Sequence, residues 1–280
     1  MFYGSIVALV TPYKENLEVD YETLRALVRF QVESGTSAIV ALGTTGEHLL
    51  LTDAEREDIV ATVVEEVAGR VPVIVNVGVA ATTQSLLNAK RAKTLGADAL
   101  LVITPYYVKP SENGVVSHMN AVAKVDLPIM FYYNPARTGL TLSKECIKAV
   151  LQIPNVVAIK DATVNLEWAR TLKTNYFADD PGAASGVMQS GGKGLVSVIA
   201  NLYPKEWKEV VSGNESAEAF KDLLNALSLE TNPQCIKYAM SKLGLCNSRL
   251  RLPLVEPSDE TKRAIDVAMS NSFTYCLSNS

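Results

Sequence analysis

Short, nearly continuous apolar runs alternate along the chain with longer stretches of helical periodicity. The runs are Ile6–Val10, Ala38–Leu42, Val73–Val77, Ala99–Ile103, Ile129–Tyr133, Val156–Ile159 and Val196–Ile199. Apolar residues at successive positions predict strands buried on both faces, as in a parallel sheet; a half-exposed strand would turn polar at every second residue. Between the runs, Leu24, Leu27, Val28 and Val32 line one face of a helix over Tyr21–Val32. Ile59, Val63 and Val67 do the same within Asp53–Val67. Thr52 with Glu55 makes a capping box, Ser143 is a further N-cap, and Gly35, Gly69 and Gly96 stand where helices should stop.

This βα rhythm returns about every 25 to 35 residues, which predicts an α/β fold of the (β/α)8 TIM-barrel type over residues 1–212. A doubly wound dinucleotide sheet shares the local pattern but requires G-x-G-x-x-G after the first strand, and none follows Val10. Beyond Ser212 the strand signal stops. Asn214–Leu229, Pro233–Leu243 and Ser258–Met269 read as helices, so residues 213–280 are expected to form a small C-terminal helical domain. The last eleven residues are polar and unpatterned and are expected to fray. One segment fits poorly: the seventh strand has only Tyr176–Ala178 to draw on, followed by a turn-rich stretch.

Composition narrows the function. Hydrophobic residues make up 48% of the 280, ample for a core and incompatible with disorder. The net charge is −4 with Lys and Arg scattered, so no basic patch for nucleic acid is visible. No apolar run approaches the length of a membrane span. The opening MFYGSIVALVTPY lacks a basic leader and cleavage site and reads as a first strand, so a cytoplasmic location is expected. Cys146, Cys235, Cys246 and Cys276 are far apart without a C-x-x-C pair, as expected of free thiols. His48 and His118 alone leave little material for a zinc site or a Ser-His-Asp triad. No metal is expected, and acid–base chemistry falls to Tyr, Lys, Asp or Glu.

In a parallel α/β barrel the reactive groups sit at the C-terminal strand ends. Those ends carry Thr11, GTTGE (Gly43–Glu47), TPYY (Thr104–Tyr107), the stretch Tyr132–Thr138 and KDAT (Lys160–Thr163). Lys160 follows six uncharged residues, Pro154 to Ile159. Burial of its ammonium would lower its pKa and supply the neutral amine that a carbonyl attack needs. Pairing with Asp161, or reaching out to solvent, is the alternative. Tyr106, Tyr107, Tyr132 and Tyr133 gather at two strand ends, where one of each pair should face inward and could relay protons; tyrosines merely capping the rim would look the same. Thr44 and Thr45 lie on a glycine-flanked turn suited to a carboxylate, and Arg137 offers a planar fork for a second one, unless it is a surface ion-pair residue. GGKG (Gly191–Gly194) precedes a strand instead of following one, so it reads as a tight turn and not as a phosphate loop.

Together GTTGE, TPYY, NPARTG, IKDAT, SVIANLYP and RLPL make the chain resemble, from Gly4 to about Met269, the dihydrodipicolinate synthase family of pyruvate-dependent class I aldolases. The resemblance implies condensation of pyruvate with L-aspartate 4-semialdehyde to 4-hydroxy-tetrahydrodipicolinate in the diaminopimelate route to lysine, with no cofactor. It implies that Lys160 forms the imine and that Tyr132, not Tyr133, shuttles protons. Thr44 would link Tyr132 to Tyr107 of a neighbouring subunit, Thr45 would hold the pyruvate carboxylate, and Arg137 would hold that of the aldehyde. A homotetramer built from tight dimers is implied as well.

The chain departs from the family pattern in four places. The doubled Tyr132–Tyr133 keeps open an aldolase for another 2-keto acid of the sugar-acid or sialic-acid type. The segment between Lys160 and Gly191 is shorter, with Tyr176–Asp180 where an apolar strand ending in Ser-Gly-Asp-Asp is expected; this keeps open a catalytically impaired barrel that only binds. Val164 stands where a small residue is usual. Asp53, Ala80 and Gln84 replace the His, Asn and Glu that hold lysine in feedback-inhibited relatives, leaving Tyr106, so lysine sensitivity is expected to be weak or absent.

Overall fold

The structure, a computed structural model, describes residues 2–179 and 181–278, with only the backbone described for 181 and 272–278. Eight parallel strands close into a barrel in sequence order: β1 Gly4–Ala8, β2 Ala38–Ala41, β3 Val73–Asn76, β4 Ala99–Ile103, β5 Ile129–Tyr133, β6 Val156–Asp161, β7 Asn175–Ala178 and β8 Gly194–Ser197. Helices α1 Tyr21–Glu33, α2 Asp53–Val67, α3 Thr82–Thr94 and α4 Glu112–Ala123 cover the first half of the barrel. A short helix α5, Pro135–Thr138, precedes α6 Lys144–Leu151, α7 Leu166–Thr171, α8 Ala184–Gln189 and α9 Pro204–Ser212. Beyond them lie α10 Lys221–Leu227, α11 Gln234–Lys242 and α12 Asp259–Ser278.

The apolar runs form strands because both faces find cover. Alternate residues Ile6, Ala8, Val40, Ile74, Leu101, Met130, Ala158, Phe177 and Val196 fill the barrel interior. Their neighbours Val7, Ile39, Val75, Leu100, Val102, Phe131, Ile159 and Leu195 pack outward against the helices. The signals at the helix ends hold. Thr52 and Glu55 form the capping box of α2, and the Ser143 side chain caps α6. Gly35, Gly69 and Gly96 take positive φ just beyond their helices.

At the seam, both strands start two residues before their apolar runs, because Gly4 pairs with Gly194 in the β1–β8 ladder. A side chain at Gly194 would place its Cβ 2.0 Å from the Gly4 carbonyl oxygen, so only glycine lets the barrel close there. This accounts for GGKG as a turn entering β8. The weak seventh strand is present: β7 pairs with β6 from Asn175 to Ala178 and with β8 at Phe177 and Ala178. Its two ladders supply the order that its short apolar run does not.

Beyond α9 the chain is helical, as expected. The first helical stretch is a 3-10 turn, Ala217–Phe220, running into α10. Phe220 packs on Tyr203 and Trp207, and the Trp207 indole N–H donates to Ser197 Oγ at 2.8 Å, tying this layer to β8. Within the tail expected to fray, α12 runs on to Ser278, and the last two residues lie outside the described ones. An established helix propagates cheaply until a breaker ends it, and the stretch holds neither Gly nor Pro. Cys146, Cys235 and Cys246 are free, whereas the Cys276 side chain lies outside the described residues, as does Asp180. Among the described residues no helix is long and apolar enough to cross a membrane.

Candidate active site

The site is built on the neighbouring strands β5, β6 and β7. Tyr132 and Lys160 are paired partners across the β5–β6 ladder, and Lys160 is in turn paired with Phe177 on β7. Side chains alternate along a strand, so Tyr132, Lys160 and Phe177 share the interior face, and Asp179, two residues past Phe177, returns to it. Tyr133 instead faces outward and packs on Trp168, with ring centroids 5.7 Å apart. The doubled tyrosine therefore places one phenol, that of Tyr132, in the site.

Lys160 Nζ stands 2.9 Å from Asp179 Oδ1 and 4.0 Å from the centre of the Tyr132 ring. The Tyr132 hydroxyl donates to Asp179 Oδ2 at 2.9 Å and accepts from Asn134 Nδ2 at 2.8 Å. Lys160 thus pairs with Asp179 and not with Asp161. Asp161 points into the layer under the helices, where it accepts from the Thr163 and Asn165 amides and the Tyr176 hydroxyl. Those bonds hold the turn after β6, in which Val164 takes a left-handed φ of 52°, a conformation costly for a β-branched residue.

The expectation of a lowered lysine pKa is corrected by this pairing. Burial is the largest single influence on Lys160 and pushes its pKa down, but the Asp179 carboxylate and the Tyr132 oxygen together outweigh it. The Asp179 carboxylate at 2.9 Å thus favours the ammonium form of the amine. Burial, and then the negative charge of Asp179, push the Tyr132 phenol above its ordinary value, so it is a neutral donor at neutral pH.

A cavity of about 250 Å³ opens from this group to the barrel mouth. It is small beside the roughly 300–1,000 Å³ of drug-sized ligand pockets, which suits a small organic acid. Thr44, Thr45 and Arg137 line it with Lys160 and Tyr132. Thr45 Oγ1 accepts from Asn232 Nδ2 at 2.9 Å, and the Arg137 guanidinium reaches the Asn232 carbonyl at 3.4 Å. The Tyr132 hydroxyl is bonded to Asp179 and Asn134, while Thr44 lines the cavity. Tyr107 is not brought to the site by its own chain: it lies at the rim, 90% exposed, with a left-handed φ of 68°.

Three site residues escaped the reading of the sequence. Asn134 follows Tyr132 by two, and Asp179 follows Phe177 by two, so alternation alone could have aimed both inward. Asn232 had no such signal, because it arrives from beyond the barrel. A separate cleft between α2 and α3 is lined by His48, Asp53, Arg56, Asn88 and Arg91. There Asp53 is already ion-paired with Arg56 and Arg91, and Gln84 bonds Asn88 at 2.9 Å.

An eight-stranded barrel holding a lysine amine in its mouth, between a carboxylate and a phenol, has the groups that an imine-forming lyase requires. The chain belongs to the dihydrodipicolinate synthetase family, whose model matches residues 1–272. It is similar to the 4-hydroxy-tetrahydrodipicolinate synthases of Syntrophotalea carbinolica, 40% identical over 96% of this chain and 98% of that one, and of Citrifermentans bemidjiense, 44% identical over 91% and 93%. Among solved structures, dihydrodipicolinate synthase from Aquifex aeolicus superposes with a TM-score of 0.92 at 36% identity, covering 96% of this chain and 97% of that one. The chloride-inhibited, pyruvate-complexed enzyme of Acinetobacter baumannii superposes with a TM-score of 0.93 at 34% identity, over 97% and 99%.

Proposed function

We propose that this protein condenses pyruvate with L-aspartate 4-semialdehyde to 4-hydroxy-tetrahydrodipicolinate, the committed step of the diaminopimelate route to lysine. The observation that carries the reading is Lys160 Nζ, placed in the barrel mouth on the wall it shares with Tyr132.

In this reading the Lys160 amine attacks the pyruvate ketone, and loss of water leaves a protonated imine. That cation is the electron sink which lets the methyl group release a proton, so the chemistry needs no organic cofactor. Tyr132, held by Asn134, relays protons as imine becomes enamine. The enamine carbon attacks the aldehyde, and the aldehyde substrate's amine closes the ring and frees Lys160. Thr45 receives the pyruvate carboxylate on its glycine-flanked turn, Thr44 links Tyr132 to Tyr107 of a neighbouring subunit, and the Arg137 fork receives the second carboxylate.

Tyr107, exposed at the rim, reaches across to a neighbouring subunit in the proposed tetramer of tight dimers. Residues 213–280 act as a helical unit that closes the mouth through Asn232. The location is cytoplasmic, a reading supported by the free thiols of Cys146, Cys235 and Cys246.

Borohydride reduction in the presence of pyruvate tests the reading. A pyruvyl adduct mapped to Lys160, followed by turnover with L-aspartate 4-semialdehyde, is expected; turnover only with other aldehydes would replace the substrate assignment. Lysine is expected to leave turnover unchanged, because Ala80 offers no amide and Asp53 is held by two arginines. Half-inhibition below about 1 mM lysine would show that the altered cleft still binds it.

A further inference from the structure

One carboxylate bridges both reacting groups. Asp179 touches Lys160 Nζ through one oxygen and the Tyr132 hydroxyl through the other, each at 2.9 Å. The Tyr132 oxygen already accepts from Asn134, so its own hydrogen is directed at Asp179. A continuous hydrogen-bonded line therefore runs from the lysine nitrogen through the carboxylate to the phenol. Its middle member is anchored by the Asp179 amide, which donates to the Asp161 carbonyl at 3.3 Å where the β6–β7 ladder ends. Lys160 and Tyr132 are the titratable groups in contact with this carboxylate, and Arg137 and His48 line the same cavity.

We propose that Asp179 is a catalytic residue of imine formation, taking a proton from Lys160 as the keto acid arrives and returning it to the departing oxygen. The inference rests on the reading of Lys160 as the imine-forming amine. In the step, the ketone carbon gains a double bond to Nζ and loses its bond to oxygen. Two protons leave the Lys160 ammonium and depart with that oxygen as water. Asp179 accepts the first, which makes the amine nucleophilic; the second passes from the nitrogen to the former ketone oxygen as the carbinolamine forms, and Asp179 then delivers the first to that hydroxyl directly or through Tyr132. It begins and ends as a carboxylate, and it ends facing the iminium cation it has helped to form.

The pairing also resolves a conflict in the site. An ammonium held by a neighbouring carboxylate cannot attack a ketone until its proton has somewhere to go, and Asp179 is the carboxylate base within hydrogen-bond reach of Nζ, at 2.9 Å.

The test is the rate of borohydride trapping of pyruvate by the full-length protein and its Asp179→Asn variant, across pH. Asp179→Asn preserves shape and hydrogen bonding to Tyr132 but cannot take the proton. It is expected to trap about a hundredfold more slowly across the pH range, within the range of general acid–base effects. Asp179→Ala is expected to recover trapping as formate is added, which a structural role would not produce and which decides the matter should the Asn variant fail to fold. Trapping by Asp179→Asn at the wild-type rate, faster trapping by Asp179→Ala without formate, or no response to formate would each overturn the inference. Absence of trapping in the wild-type protein would instead remove the reading of Lys160 on which it rests.

Discussion

Lys160→Arg is expected to yield a folded barrel that neither traps pyruvate nor turns over. A guanidinium keeps its charge at every accessible pH, so it can pair with Asp179 but cannot present a neutral nitrogen to a ketone. Conserving the ion pair matters to the design of this test. Lys160→Ala would leave the Asp179 carboxylate in a largely enclosed pocket without its cation, mixing a loss of chemistry with a loss of stability. Turnover is expected to fall at least about a thousandfold, since removal of a covalent nucleophile leaves only binding and positioning. Steady-state rate and the mass of the borohydride-treated protein read the two consequences separately. Activity above roughly a tenth of wild type would mean that another nitrogen forms the intermediate.

The largest stability effect is expected at Lys237, far from Lys160 in sequence and outside the strands. Its ammonium on α11 is fully buried and donates to Glu47 Oε1 at 2.8 Å and to the Thr11 carbonyl at 3.0 Å, over the face of Tyr13 at 4.1 Å. Glu47 is equally buried and sits in the GTTGE turn with a left-handed φ of 53°. Burial lowers the Lys237 pKa, with the Glu47 carboxylate opposing it. Lys237→Met leaves that carboxylate buried and without its cation, a situation that costs about 3–5 kcal/mol. A fall in Tm on the order of 10 °C follows for a chain of this size.

Glu47→Leu in the same background should restore much of the loss, because an apolar pair of similar volume avoids the desolvation of both charges. A double variant as unstable as Lys237→Met would show that the Thr11 contact, and not the ion pair, carries the effect. The pair also joins two parts of the mouth. Through Glu47 the C-terminal helices hold the turn that bears Thr44 and Thr45, and through Asn232 they touch Thr45 directly. Lys237→Met is therefore expected to raise KM for pyruvate along with its loss of stability.

Much of this fold was legible because its strands are covered on both faces. Two-sided burial leaves a run of apolar residues too short for most helices, and the caps at Thr52 and Ser143 mark where helices take over. Strand alternation also required that one of Tyr132 and Tyr133 face inward. The seventh strand was nearly illegible for the same reason in reverse: Asn175–Ala178 is short, and its place is set by ladders to β6 and β8 that join residues distant in the chain. The helical run to Ser278 went unread because polarity without a breaker does not stop a helix.

What the sequence determined by itself was the local part: the βα alternation, the glycines that stop helices, a lysine and a tyrosine at strand ends, and the motifs that carry the family resemblance. These depend on spacing within one element, which a linear reading retains. Tertiary structure alone decided which charges meet. Lys160 has a carboxylate beside it in sequence, Asp161, yet pairs with Asp179 because adjacent residues of a strand face opposite ways. Lys237 and Glu47 meet across 190 positions of the chain. Charge pairing acts through space, and in a low-dielectric interior it reverses what burial alone would do to Lys160; only the closed barrel brings the partner that does so.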